Sequence, residues 1–180
     1  MIVINYLDKP SIRKNIEPLF ISAFPRDERP PADIYFSSFE SKTQNVLYGF
    51  YDEEKFVGFS SVVLYKDICY IFFLAVQDEL RNQGYGSKIL TELKEMYKKD
   101  TLLLCYEEVD KKYKDYENRR KRAEFYAKNG FIINPLMTDE FGVVFQTARY
   151  GNHVVTYKEY ESIFLIGFGD WAVKYLKEYK

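Results

Sequence analysis

A chain of 180 residues and 21.5 kDa fits one ordinary domain, and 47% apolar residues rule out wholesale disorder. Twenty-six basic against 27 acidic residues, a net charge of −1, lack the basic excess of a nucleic-acid or membrane-surface binder. His153 is the single histidine, so His-centred metal sites, Ser-His-Asp triads and Cys-His dyads lack parts.

Residues 1–7 read as a strand, and Pro10-Ser11 opens an amphipathic helix that Pro18 threatens to interrupt. Phe24-Pro25 ends that segment, and Pro30-Pro31 marks a loop before a short helical piece around Ala32–Glu40. Val46–Tyr51, Asp52-Glu53-Glu54 and Lys55–Tyr65 read as strand, turn, strand. Lys66-Asp67 turns the chain into Ile68–Val76, apolar on both faces and therefore a central strand covered on two sides. Gly84–Tyr97 is a helix with Ile89, Leu90, Leu93, Met96 and Tyr97 on one stripe. Leu102–Tyr106 is the next buried strand, Asp110–Glu117 a polar connection, and Asn118–Asn129 a basic helix stopped by Gly130. Phe131–Asn134 and Phe141–Arg149 form a hairpin-like pair, and Thr156–Lys180 has helical periodicity broken near Gly167 and Gly169.

This order predicts a mixed α/β fold around a single sheet, with a parallel strand pair flanking the glycine-opened helix. One domain is expected over residues 1–180, with a core at 1–149 and a C-terminal helical extension at 150–180. Cys69 and Cys105 lie in the apolar runs ICYIFFLAV and TLLLCYEEV, as buried free thiols do. No run reaches the roughly 18 to 20 apolar residues of a membrane span, and MIVINYLDKP turns polar too soon for a signal peptide. A cytoplasmic protein is expected.

The segment Ile71–Lys88 carries the chemistry. A buried strand runs into a loop, and Gly84 and Gly86 open a helix, with Arg81 and Lys88 on either side. The first turn of a helix has unpaired N–H groups and partial positive charge, and glycine lets an anion approach the backbone. The glycines alone fit a plain chain reversal equally well. The three-glycine Rossmann spacing and the Gly-Lys-Ser/Thr of a nucleotide P-loop are both absent.

What remains, Arg81-x-x-Gly84-x-Gly86 after a buried strand, resembles the pyrophosphate loop of the GNAT N-acetyltransferase superfamily. About 40 residues later, Asn118–Phe131, with Phe125-Tyr126 before Gly130-Phe131, resembles the family's second signature. Ala23–Pro30 resembles a segment of some bacterial members. The resemblance implies a GNAT-like acyltransferase fold: a central mixed sheet of six to seven strands flanked by helices, with a splayed parallel strand pair. It implies acetyl-CoA as cosubstrate and no metal.

Residue by residue, the resemblance puts the pyrophosphate on the amides of Arg81, Asn82, Gln83, Gly84, Tyr85, Gly86 and Ser87, and the pantetheine on backbone near Leu74 and Val76. Tyr126 matches the general acid, a phenol that stays protonated at neutral pH and can donate to a leaving thiolate. Asn118 matches a residue that bonds pantetheine or substrate. The run from Arg119 to Arg122 is either a solvated helix face or a partner of the 3′-phosphate of CoA, with Arg119 the foremost candidate. The glutamate that some relatives carry on the splayed strand falls near Tyr70 here, and no carboxylate occurs between Ile68 and Gln77. Glu107 and Glu108 are the substitute candidates, as bases, as attractors of a cationic amine, or as plain strand-end charges. Tyr35, Phe36 and Tyr150 are candidate acceptor-site aromatics, and Asp27, Glu28, Glu107, Glu108 and Asp110 an acidic rim.

The function so implied is direct transfer of the acetyl group of acetyl-CoA to a primary amine of a small cationic molecule or peptide. The alternative is a non-catalytic acyl-CoA-binding or protein-interaction module with the same fold. The aromatic stretch Ile163–Tyr175 packs either on its own core or on a second subunit, and the latter makes a homodimer.

Overall fold

The computed structural model describes residues 1–26 and 29–179, and the chain divides into two compact units. Residues 1–64 and 71–96 form the first, residues 65–70 and 97–180 the second.

In the first unit, β1 (Ile2–Asn5), β2 (Asn45–Asp52) and β3 (Lys55–Tyr65) pair antiparallel, with Ile2 opposite Tyr51 and Leu47 opposite Ser61. A 3-10 turn at Pro10–Ile12 leads into α1 (Arg13–Ala23), which runs through Pro18. Proline there forfeits one helical hydrogen bond. Burial of Ile16, Leu19 and Phe20 along one face outweighs that loss, because tertiary packing supplies most of a helix's stability in a folded chain. α2 (Ala32–Ser41) buries Tyr35, Phe36 and Phe39, and the Phe20 ring stacks on Tyr35 at 4.1 Å. These rings share one core with Leu47, Phe59 and Phe73. Tyr35 and Phe36, expected to line an acceptor site, are instead core side chains at 4% and 0% exposure.

β4 (Ile68–Val76) contributes to both units. Its last residues put Phe73 and Ala75 into the first unit's core, and Gly58 on β3 sits so close that an added Cβ would meet the Ala75 carbonyl oxygen at 2.2 Å. α3 (Tyr85–Met96) then buries Ile89, Leu90 and Leu93 of the predicted stripe, whereas Met96 at its end is exposed.

In the second unit, the start of β4 runs parallel to β5 (Thr101–Glu107) through Ile68↔Thr101, Cys69↔Leu102 and Tyr70↔Leu103. β5 also pairs antiparallel with β7 (Val143–Tyr150) from Leu102 to Glu107. α4 (Tyr116–Lys128) precedes β6 (Ile132–Glu140), which pairs with β7 through a register shift between Ile133 and Met137. Pro135 sits in that shift, where a missing N–H costs least, so β6 continues past the point at which the sequence suggests it stops. α5 (Tyr157–Phe168) starts on a capping box in which Thr156 Oγ1 accepts from the Glu159 amide and the Glu159 carboxylate accepts from the Thr156 amide. After α6 (Asp170–Val173), β8 (Leu176–Tyr179) pairs antiparallel with Met137–Glu140 of β6.

All eight strands belong to one mixed sheet in the order β1-β2-β3-β4-β5-β7-β6-β8. The expected count of six to seven is therefore one short. The missed strand, Leu-Lys-Glu-Tyr, is too short to show a two-residue alternation and is defined by its partner. No helix among the described residues is long and apolar enough to cross a membrane.

The second unit buries one carboxyl group. Glu140, 7% exposed at the end of β6, accepts hydrogen bonds from the Tyr160 hydroxyl at 2.7 Å and the Thr138 hydroxyl at 2.8 Å. Among the described residues no cation pairs with it, and burial pushes its pKa up to about 7 against the two hydroxyl donors.

Two stability predictions follow from this packing. Gly58→Ala should lower stability by about 1–3 kcal/mol, read as a shifted urea midpoint, because the new methyl meets backbone. Folded Glu140 holds a proton that the unfolded chain has lost between its ordinary pKa of 4.5 and about 7, so wild-type stability falls as pH rises through that window. Glu140→Gln should remove this fall, gaining on the order of 3 kcal/mol relative to wild type from the acid side of the window to the basic side, read from melts across pH.

Candidate active site

In the first unit, Phe73 and Ala75 of β4 face the core, and the alternating Leu74 and Val76 are half-buried. After β4 the Gln77 amide bonds to the Val57 carbonyl, and a 3-10 turn at Asp78–Leu80 buries Leu80. Asn82 (φ 61°) and Gly84 (φ 82°) are both left-handed and reverse the chain into α3. Three contacts fix this loop: Arg81 to Asp78 at 2.7 Å, Gln83 Nε2 to the Glu79 carbonyl at 2.8 Å, and Tyr85 Oη to Asp52 on β2 at 2.7 Å.

The first backbone bond into α3 runs from the Lys88 amide to the Gly84 carbonyl at 3.1 Å. The amides of Tyr85, Gly86 and Ser87 precede it and have no acceptor within the helix. A Cβ built on Gly84 would meet nothing within 4 Å. The loop therefore presents open space in front of a helix N-terminus, which fits a phosphate group. Lys88 adds charge there, with its ammonium 4.7 Å from the Tyr85 ring centroid.

In the second unit, Tyr126 on α4 lies between Tyr106, stacked at 6.0 Å and 24°, and Phe131, edge-on at 6.0 Å. Its carbonyl accepts from the Asn129 and Phe131 amides, the turn that Gly130 (φ 79°) makes available. Its hydroxyl makes no hydrogen bond among the described residues. Desolvation raises its pKa to about 12 despite the pull of Arg122, so the phenol stays protonated at neutral pH.

The basic run of α4 is paired with acids. Arg119 reaches both Asp115 oxygens at 3.0 Å, donates to the Glu108 carbonyl, and stacks over Tyr113 at 3.9 Å. Arg120 pairs with Glu117 and Glu124, and Arg122 pairs with Glu107 on β5. Asp115 and Glu117 at the helix start thus offset the unfavourable meeting of cations with the helix dipole. Asn118 is exposed in the first turn. Glu108 accepts from Lys112 at 2.7 Å and Tyr113 at 2.9 Å, and the Lys112 ammonium beside it pulls its pKa below the usual carboxylate range. Asp110 accepts from the Lys112 amide, and Tyr150 is exposed beside Phe131. Asp27 and Glu28 lie outside the described residues.

The predicted residues thus form two groups: the loop with Leu74 and Val76 in the first unit, and Tyr126, Asn118, Arg119, Glu107 and Glu108 in the second. The sequence reading misses a third. The Glu140–Tyr160 pair continues to Tyr70 Oη, 2.9 Å from Tyr160 Oη, and on to Cys105 Sγ, 3.1 Å from Tyr70 Oη. Burial pushes the Cys105 thiol up, away from thiolate. One sequence signal was available: Asn134, Leu136, Thr138 and Glu140 alternate inward along β6 once the strand is carried past Pro135.

The family model of the acetyltransferase (GNAT) domain matches residues 43–133, just over half of the chain. The match includes the whole Arg81–Ser87 loop and Tyr126. No curated protein matches the sequence. Among solved structures, a GNAT-family protein from Bacteroides thetaiotaomicron superposes with a TM-score of 0.77 at 20% identity, covering 94% of this chain and 99% of its own. An aminoglycoside 6′-N-acetyltransferase complexed with coenzyme A gives 0.67 at 16% identity, with 83% and 96% covered. An acetyltransferase from Bacillus subtilis in complex with CoA gives 0.51 at 16% identity, with 70% and 95% covered. At these identities the likeness is one of fold. With the family model spanning both sequence signatures, the chain belongs to the GNAT acetyltransferase family.

Proposed function

We propose that residues 1–180 act as one N-acetyltransferase domain that moves the acetyl group of acetyl-CoA directly to a primary amine of a small cationic molecule or peptide. The observation that carries this reading is the open cradle at Gly84, which lies inside the segment matched by the family model. The CoA named in two similar structures and the aminoglycoside, a cationic multi-amine compound, named in one of them agree with it.

Bound acetyl-CoA supplies an acetyl group already activated as a thioester. The amides of Arg81 to Ser87 hold its diphosphate, with the close approach permitted at Gly84 and Gly86, and backbone near Leu74 and Val76 takes the pantetheine. Asn118 and Arg119 are assigned to the same cofactor. Arg119 does so while anchored to Asp115, so it acts by a fixed, pre-oriented guanidinium. Tyr126 donates its phenolic proton to the departing sulfur, and its raised pKa keeps that proton in place until the sulfur gains charge. Glu107 and Glu108, each already accepting from a cation, suit the attraction of a cationic amine better than removal of its proton.

Thiol release from acetyl-CoA across a panel of amines tests this reading. Tyr126→Phe should lower turnover roughly 10²-fold while CoA affinity in calorimetry stays unchanged. Gly84→Glu should abolish CoA binding by placing charge and bulk in the cradle, with the circular dichroism spectrum retained. Tight CoA binding with no transfer to any amine would instead favour a binding module.

A further inference from the structure

The chain Cys105–Tyr70–Tyr160–Glu140 has a direction fixed by donor counting. A carboxylate only accepts, so Tyr160 gives its one hydroxyl proton to Glu140 at 2.7 Å. The 2.9 Å contact between the two phenols then requires Tyr70 to donate to Tyr160. Tyr70 has no second proton, so the 3.1 Å contact to sulfur requires the Cys105 S–H to donate to Tyr70. Every proton along the chain points toward Glu140. Tyr70, Tyr160 and Thr138 are fully buried, whereas Cys105 is only partly buried on β5, two residues past Leu103, the last residue of the parallel register with β4. The line therefore runs from a partly buried thiol to a buried carboxylate.

We infer that Glu140 is the proton acceptor for the incoming amine, reached from Cys105 through Tyr70 and Tyr160. This rests on the acetyl-transfer reading above. An alkylammonium at Cys105 gives one proton to the sulfur as the S–H proton passes to Tyr70, the Tyr70 proton to Tyr160, and the Tyr160 proton to Glu140. Glu140 becomes a neutral acid and the ammonium a free amine. The amine nitrogen then forms its bond to the acetyl carbon as the carbon–sulfur bond breaks. Its second proton replaces the one that Tyr126 delivers to the leaving sulfur. The proton on Glu140 returns along the same line to water when the product leaves, which restores the carboxylate.

The surroundings suit this role. From α5 Glu140 meets Tyr160, from its own strand Thr138 and Asp139, and across β8 its register partner is Leu176. Glu178, opposite Thr138, is exposed, and Lys177 is opposite Asp139 on the alternate face. With acidic and neutral neighbours and no paired cation among the described residues, Glu140 holds a proton near neutrality far better than an exposed carboxylate, and its pKa of about 7 agrees. Glu108, with the Lys112 ammonium attached, is pulled the opposite way.

The test combines pH–rate profiles with infrared titration of the carboxyl C=O stretch in the full-length protein, using spermidine, kanamycin and lysine-containing peptides as amine probes. In wild type, kcat/KM should rise with pH through an apparent pKa of about 7, and the infrared band of a buried protonated carboxyl should disappear over the same range. Glu140→Gln should lose both the limb and the band, with turnover down roughly 10²-fold and CoA affinity intact. Tyr160→Phe, which keeps the carboxyl but cuts the line, should lose the limb and retain a titrating band. Adding the second substitution to the first should cost no further rate. An unchanged limb in either variant, or no wild-type carboxyl titrating in that range, overturns the relay. If Glu140→Gln does not fold, Tyr160→Phe and the wild-type titration decide. Failure to acetylate any probe with CoA bound overturns the acetyl-transfer reading and the role of Glu140 with it. A surviving infrared titration separates that failure from failure of the relay itself.

Discussion

β4 runs parallel to β5 through three residue pairs, Ile68–Tyr70 with Thr101–Leu103, although β4 continues to Val76 and β5 to Glu107. The division into two units falls at this point in β4, between Tyr70 and Ile71. The parallel ladder thus engages only the first residues of each strand. β5 keeps its other edge satisfied on β7 along its length.

The arginines of α4 in the second unit are held in ion pairs. Arg119, Arg120 and Arg122 each hold an acid, and Arg119 is further clamped over the Tyr113 ring, which ties the Asp110–Asp115 connection to the start of α4. The helix that carries Tyr126 is positioned by these pairs and by its rings rather than by a buried apolar stripe, since none of its residues is fully buried. Exposed pairs of this kind add little stability singly. Their value is orientation: Arg122 joins α4 to Glu107 on β5, the strand on which Tyr106 stacks against Tyr126.

What could be read from the residues follows from the range of the interactions involved. The Ile89, Leu90 and Leu93 part of the α3 stripe, the apolar run of β4 and the glycine-opened start of α3 are local patterns, and each stands where its pattern puts it; Met96, at the end of the stripe, does not. The Pro18 helix is different, because the apolar face that rescues it finds its partners in α2 and β3. The strand Leu176–Tyr179 exists through Met137–Glu140, nearly forty positions earlier. The polar line from Cys105 to Glu140 joins residues 35, 90 and 20 positions apart, and no spacing rule links such separations. Tyr35 and Phe36 failed as acceptor-site candidates for a related reason: in a chain with 33 aromatic residues, type alone does not separate core from lining.

A carboxyl on β4 itself would be simpler than a relay, yet Tyr70 occupies that neighbourhood. A glutamate there would be a buried charge within a sheet, at a position that is fully buried, and would need its own donors. Moving the carboxyl to the end of β6 lets two hydroxyls satisfy it, while Tyr70 fills the core with an aromatic ring and keeps one polar atom for transmission. The stability cost of a buried carboxylate held by hydroxyls alone is then confined to one residue. The same desolvation that produces this cost raises the proton affinity of Glu140, and the two hydroxyl donors oppose both, so at this position stability and basicity change together.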